Sequence, residues 1–188
     1  MNISEEQYRQ IYEDLDKVSP VLFDCGMICG ASCYDTERHE DLGMYLLPGE
    51  EAVHDRDDPC FDWMVDAAED YDFPASWTGD VYFIRCHGTF LCEREKRPIQ
   101  CRTFPAAPHL TSGGELVLIY SDADVPYICP MIASEAELST AFLKATLKAW
   151  RTLMGDQRIH DLVKQASDRR GDEVKVIWRE AVTDAGAV

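Results

Sequence analysis

Eight cysteines constrain this chain more than any other feature, because all of them fall within one central stretch. They are Cys25, Cys29, Cys33, Cys60, Cys86, Cys92, Cys101 and Cys129. The first residues, MNISEEQYRQ, lack the basic and apolar regions of a signal peptide, so we expect a cytoplasmic protein with reduced thiols. A chain of 188 residues that is 46% hydrophobic can also form a core without disulfides. The cysteines are therefore predicted to bind metal.

The charge of the chain limits its partners. It has 18 basic and 35 acidic residues, a net charge of −17 at neutral pH. Such a surface is repelled by nucleic-acid phosphates and by anionic membranes. The sequence also lacks the run of about 20 apolar residues that a membrane-spanning helix needs. We expect neither nucleic acid nor membrane as a partner, and the sequence leaves a protein partner and the oligomeric state open.

The first half of the chain predicts one helix and then short strands. Ser4 and Gln7 form a capping box before an amphipathic helix that runs toward Lys17. The middle of the chain is broken by prolines and glycines, and its short apolar runs are typical of strands. Ser112-Gly113-Gly114 has the composition of a hairpin turn. The runs are MYLLP, DVYFI and ELVLIY.

The C-terminal part predicts a helical pair over residues 134–170. Ser134 and Glu137 read as a capping box for its first helix, and Gly155-Asp156 separates that helix from the second. Gly171 is expected to stop the second helix, before a short strand, VKVIW. The prediction is thus one α+β metal-binding domain over residues 1–188. Helices at both ends flank an irregular cysteine-rich middle, residues 25–130, with short antiparallel strands.

The first cysteine group is Cys25, Cys29 and Cys33, separated by two equal steps of four residues. On a continuous helix the three sulfurs would share one stripe. Gly26 and Gly30 each follow a cysteine, and two glycines so close together weaken a helix while allowing backbone amides to turn toward sulfur. We therefore expect a loop that binds a cluster rather than a buried helical stripe.

The second group contains Cys86, Cys92 and Cys101, the last within the motif RPIQCRTFP. The proline of this motif suits the first position of a short helix, which would place Cys101 near the helix start. Arg97 and Arg102 flank it, and both features favour a thiolate. The segment from Arg85 to Arg102 has five basic residues against two acidic ones, an excess that would offset the charge of an anionic metal–thiolate centre.

These motifs resemble the YkgJ-like family of cysteine-cluster proteins, which are described as zinc- or iron-chelating. The resemblance covers about residues 25–105, and its most specific part is Arg-Pro-x-x-Cys-Arg-x-Phe-Pro, found here at 97–105. Cys129 is a plausible final member of the set. The family usually has a Cys-Cys doublet where this chain has Ser32-Cys33. The resemblance implies metal binding and no defined reaction.

The identity of the metal is weighed from cysteine spacing. No two cysteines show the Cys-x2-Cys spacing of many structural zinc sites, and Cys129-Pro130 is similar to the end of bacterial ferredoxin motifs. We predict an iron–sulfur cluster, [4Fe–4S], with Zn²⁺ as the alternative. His87 is the nearest histidine that could replace a sulfur, and Cys60 is left out because acidic residues surround it. The predicted ligands are Cys25, Cys29, Cys33, Cys86, Cys92, Cys101 and Cys129.

Three kinds of function follow from these residues. The first is an accessory protein that carries the iron–sulfur cluster for electron transfer, sensing or metal handling. The second is a structural zinc-binding module that interacts with a protein. The third is a thiol oxidoreductase in which Cys101 attacks and Cys92 resolves, although the usual Cys-x-x-Cys signature is missing. The sequence shows no catalytic triad, phosphate loop or dinucleotide motif, so it favours a protein that is not an enzyme and leaves the thiol oxidoreductase as the enzymatic alternative.

Overall fold

The N-terminal helix begins at the predicted capping box. In the computed structural model, which describes residues 2–30, 33, 43–87 and 93–180, α1 spans Glu5–Asp16. Gln7 N donates to Ser4 Oγ at 3.2 Å, and Ser4 N donates to Gln7 Oε1 at 2.9 Å. Lys17 caps the other end of α1. The apolar stripe of this amphipathic helix is buried and contains Tyr8, Ile11 and Leu15.

The C-terminal helical pair is present, but it begins later than predicted. A short helix, α4, spans Pro130–Ala133, and α5 and α6 span Thr140–Leu153 and Gln157–Arg170. The predicted capping box at Ser134 is wrong. Pro130 starts a separate helical turn, and Ser134 Oγ donates to the Pro130 carbonyl at 2.7 Å, so this serine ends α4 instead. Ser139 is the residue that precedes α5.

The break between the two long helices is as predicted. Asp156 caps α6 and accepts a hydrogen bond from Arg158 N at 2.9 Å. Gly171 ends α6 with a φ of 70°, a conformation that residues with a Cβ rarely adopt. The two helices carry buried apolar side chains toward a shared core that also contains the α1 stripe.

Two three-stranded antiparallel sheets form the middle of the fold. The order of the first is β1-β3-β2, and that of the second is β4-β5-β6. The predicted runs DVYFI, ELVLIY and VKVIW contribute β3, β5 and β6, while only the start of MYLLP is in a strand. Strands β2, Phe61–Ala67, and β4, Ala106–Leu110, were not predicted from the sequence. The strands span Gly43–Tyr45, Phe61–Ala67, Asp80–Cys86, Ala106–Leu110, Leu116–Tyr120 and Val176–Trp178.

Two short helices carry cysteines. Helix α2 spans Gly26–Cys29, so the first cysteine group begins with a single helical turn and not with the predicted loop. Gly30, with a φ of 64°, ends that turn. Helix α3 spans Ile99–Thr103 and has Cys101 at its centre. Pro98 lies one position before the first helical residue, whereas the sequence predicted it to be that first residue.

The fold is the single α+β domain that the sequence predicted, with helices at both ends. The main core lies between α1, α5, α6 and the second sheet. A smaller apolar cluster lies on the first sheet and contains Leu46, Cys60, Phe61, Ile84 and Cys86. Of the helices in the part of the chain that the structure describes, none is both long and apolar enough to cross a membrane.

Candidate metal centre

Five cysteines from three separate segments line one cavity. All five are partly buried, so their sulfurs border the cavity without being sealed in the core. They are Cys25, Cys29, Cys33, Cys101 and Cys129. The structure therefore brings together cysteines that are up to about a hundred residues apart in the sequence, as a shared centre requires.

Hydrogen bonds hold the segments around this cavity. Ser139 N donates to the Pro20 carbonyl at 2.8 Å, which joins the start of α5 to the segment before α2. Arg94 donates to the carbonyls of Leu15 at 3.1 Å and of Val18, and so fixes the segment before α3 against the end of α1. The cysteine-bearing turns are thus anchored at their bases by contacts with the helical core.

A second cavity adjoins the first. Cys33 and Cys101 border both cavities, together with Phe104 and Tyr127. Cys86, which ends β3 and is buried, lines only the second cavity. Six of the seven described cysteines therefore border one or both of two adjoining cavities.

Met44 adds a sulfur that sequence reasoning did not consider. Its Sδ lies 3.5 Å from Cys101 Sγ, on the wall of the second cavity. Gln100 Nε2 donates to the Tyr45 carbonyl at 2.8 Å, which fixes α3 beside β1. Because a thioether is a soft donor, this wall of the second cavity is lined by sulfur from two residue types.

Tyr127 lies among the cysteines of the first cavity. Burial, and after it the charges of the nearby thiols, raise the pKa of this phenol well above its usual value. The contributing thiols are those of Cys33, Cys101, Cys129 and Cys29. The charges of four cysteines act on one hydroxyl because these side chains lie around it. The only sequence signal for Tyr127 was its position two residues before Cys129.

The predicted excess of cations is present beside the cavity. Arg94 and Arg97 line it, and Arg97 is only 6% exposed. Arg97 Nη2 donates to Asp24 Oδ2 at 3.3 Å. Burial, followed by the neighbouring charges of Arg97 and Arg102, lowers the pKa of Arg94. Two guanidinium groups, those of Arg94 and Arg97, therefore line a cavity where several thiolates would accumulate negative charge.

Arg102 has a different role from the one predicted. Its side chain is fully buried, pairs with Asp16, and lies with Cζ 4.2 Å from the centre of the Tyr12 ring. It also donates to the carbonyls of Glu95 and Arg97 at 2.5 Å each. Arg102 thus fastens α3 to α1 and to the preceding turn, and does not line the first cavity.

A fully buried carboxylate supports the start of α3. Glu50 accepts hydrogen bonds from Ile99 N at 2.7 Å, Leu47 N at 2.9 Å and the Tyr12 hydroxyl at 2.6 Å. The Tyr12 oxygen in turn lies 2.7 Å from His54 Nε2. Burial raises the pKa of Glu50 despite these donors, and burial followed by Arg102 lowers the pKa of His54 to about 4. Nothing in the local sequence marks Glu50 for this position.

The first cysteine of the centre is held mainly as a thiol. Burial, followed by the charge of Asp24, raises the pKa of Cys25, and Arg97 opposes part of this effect. Metal ligation uses the thiolate, so a metal that binds here displaces a proton. The same raised pKa makes Cys25 a weak nucleophile at neutral pH in the absence of metal.

Two residues that the sequence singled out lie away from the first cavity. Cys60 is 3% exposed in the smaller apolar cluster, where its Sγ is 3.2 Å from Lys96 Nζ. His87 Nε2 lies 2.9 Å from Asp62 Oδ1, and its side chain is 44% exposed. Neither borders the cysteine cavities. Cys92, a predicted ligand and the predicted resolving thiol, lies outside the described residues.

The cysteines surround the cavity without forming a closed site for one ion. Within residues 2–30, 33, 43–87 and 93–180, no three His, Cys, Asp or Glu side chains are close enough together to hold a metal ion. A tetrahedral zinc site requires four sulfurs about 3.8 Å from one another, given Zn–S distances of about 2.3 Å. The cavity is lined by five cysteines, with Arg94 and Arg97 beside them.

Comparison with known proteins gives no match. No family model fits the sequence, and no curated protein and no solved structure is significantly similar to this chain. The resemblance to the YkgJ-like family therefore stays a prediction from the cysteine and arginine motifs.

Proposed function

We propose that this chain binds an iron–sulfur cluster through cysteine thiolates and has an accessory role in electron transfer or metal handling. The observation that carries the proposal is the single cavity lined by Cys25, Cys29, Cys33, Cys101 and Cys129. Four thiolates are the usual complement of a [4Fe–4S] cluster, and five cysteines offer that number with one in excess. When bound, such a cluster supplies one-electron transfer.

The surroundings of the cavity support this choice. Arg94 and Arg97 place positive charge beside thiolates that would otherwise repel one another. Tyr127 offers a hydroxyl among four of the sulfurs, and hydrogen bonds to sulfur tune the reduction potential of such clusters. The absence of Cys-x2-Cys spacing among the eight cysteines favours a cluster over a structural zinc ion.

The test is to purify the full chain without air and to measure its visible absorption, iron, acid-labile sulfide and zinc. We expect brown protein with about four iron and about four sulfide per chain. Cys101→Ser should lose most of the iron, whereas Cys60→Ser, a change in a cysteine outside both cavities, should keep it. Colourless protein with about one zinc per chain would replace the cluster with the structural zinc site. Protein without either metal would overturn both.

A further inference from the structure

Large apolar side chains are exposed around the mouth of the cysteine cavity. Seven large hydrophobic residues are strongly exposed in the described part of the chain, and five of them flank its cysteines. Leu22, Met27 and Ile128 are exposed by 101%, 78% and 81%, far beyond what packing against the chain's own core would leave. We call these five the apolar rim: Leu22, Phe23, Met27, Ile28 and Ile128.

The apolar rim and the cavity share the same backbone segments. Ile28 lines the cavity, and Met27 lies between Cys25 and Cys29 on α2. Ile128 directly precedes Cys129, which lines the same cavity as Cys25. The two segments of the rim therefore meet where the cysteines meet, and a molecule that covers the rim also covers the mouth of the cavity.

The rim is nearly free of charge. Asp24 is the one ionisable side chain other than cysteine between Leu22 and Ile28, and it pairs with Arg97 at 3.3 Å. Gly26 N donates to Asp24 Oδ1 at 3.0 Å, so both carboxylate oxygens of Asp24 have partners. Neutral exposed surface of this kind is uncommon on monomers and commonly marks an interaction site. Met27 suits such a site because its side chain adapts to different partner shapes.

We propose that the apolar rim is the docking surface for a cationic protein partner. Its purpose, exchange of electrons or metal with the cavity beneath, rests on the proposed cluster, but the surface itself does not. An apolar surface on a chain with a net charge of −17 is complementary to a protein with an apolar patch inside a basic border.

Charge decides between the occupants. Residues 13–29 and 122–137, which carry the rim and its flanks, contain eight acidic residues and one basic residue. Several of these acids pair with basic side chains elsewhere in the chain, including Asp16 with Arg102 and Asp122 with Arg170. The whole chain nevertheless keeps a net charge of −17. That field repels a second copy and an anionic membrane, and it accelerates the approach of a cationic protein.

The experiment uses cytochrome c as the probe, since it is a small cationic redox protein. Its binding to the full chain, purified without air, is measured by calorimetry at an ionic strength of about 10 mM and again at about 150 mM. The rim variant combines Leu22→Ser, Met27→Ser and Ile128→Ser. The control combines Met64→Ser and Val65→Ser, which alter exposed apolar residues on β2 at a distance in sequence from every rim residue.

The proposal predicts that the wild type and the control bind the probe, more tightly at low salt, and that the rim variant binds at least about tenfold more weakly. All three proteins should contain the same iron, since no cysteine is changed. Equal binding by the rim variant and the control would overturn the proposal. So would a wild-type dimer that the rim variant loses, or rim-dependent binding to vesicles of anionic phospholipid. If the wild type contains no metal but still binds cytochrome c through the rim, the proposed cluster is contradicted and the proposed docking surface is supported.

Discussion

Replacing the buried carboxylate behind α3 tests whether the polar network there fixes the cysteine centre. Glu50 is fully buried and accepts three hydrogen bonds, two of them from backbone N–H groups. Glu50→Gln keeps the size of the side chain. It replaces one acceptor oxygen by a group that only donates, so at least one buried donor loses its partner.

The cost can be worked out from the three bonds. In the better of its two orientations, the amide oxygen of the substituted side chain would still accept from Ile99 N and the Tyr12 hydroxyl, and Leu47 N would face a second donor. One unsatisfied buried donor costs about 1 to 3 kcal/mol, and the two remaining bonds lose their charge assistance at about 1 kcal/mol each. Removal of a buried charge offsets part of this loss. We expect a net destabilisation of about 2 to 4 kcal/mol.

The assay is thermal unfolding of the full chain, followed by circular dichroism. For a domain of this size the expected loss corresponds to a fall in Tm of about 5 to 15 °C. Glu51→Gln is the matched control, because Glu51 is the next residue, is partly exposed and accepts only from Gly49 N at 2.9 Å. It should change Tm by less than about 3 °C. If Glu50→Gln unfolds within that margin of the wild type, Glu50 does not support α3 as a carboxylate and the reasoning is refuted.

Two further predictions concern the cysteines and the buried histidine. Cys101→Ala should lower both iron content and Tm. Cys60→Ala should keep the iron but still lower Tm by a few degrees, because Cys60 is buried and its Sγ is 3.2 Å from Lys96 Nζ. Loss of iron from Cys60→Ala alone would contradict this assignment. The pKa of His54 is lowered from 6.5 to about 4, so its contribution to stability is present above pH 6.5 and is lost as pH falls toward 4. The loss is at most roughly 3 kcal/mol. The measurement is the difference in free energy of unfolding between the wild type and His54→Asn, from denaturant unfolding at pH 7 to pH 4. This difference separates the effect of His54 from that of Glu50, whose raised pKa acts in the opposite direction. A difference that stays constant with pH would refute the prediction for His54.

The sequence predicted those parts of the fold that depend on local chemistry. The α1 capping box needs only Ser4 and Gln7, and the end of α6 needs only a residue that accepts a positive φ, Gly171. The box at Ser134 failed because the same short pattern also serves to close a preceding turn. Local spacing cannot distinguish the two uses, since the choice depends on where the helix packs.

The sequence predicted the residue type that lines the candidate site, but not the residues that hold these side chains in position. Thiol chemistry alone pointed to the cysteines, and Cys60 was set apart by its acidic neighbours. The tertiary fold places three residues at the centre or behind it: Met44, Tyr127 and Glu50. The local sequence did not predict them, because their segments have the patterns of an ordinary strand, loop or acidic surface. Arg102 was expected at the centre and is instead buried against Tyr12, a contact across 90 residues of sequence that no local pattern encodes.

Removal of the proposed metal should loosen the segments that carry the cysteines and leave the helical core in place. Helix α2 has no buried residue, whereas α5 buries seven. Ligands at Cys25 and Cys129 would close a loop of about a hundred residues, and without them these turns are held chiefly by contacts such as Arg97 with Asp24. We therefore expect amide hydrogen exchange to accelerate by about tenfold or more in α2 and α4 after chelation, and to stay unchanged in α5. Equal acceleration throughout the chain would mean that the metal holds the whole fold together, and no change anywhere would mean that these cysteines do not share a metal.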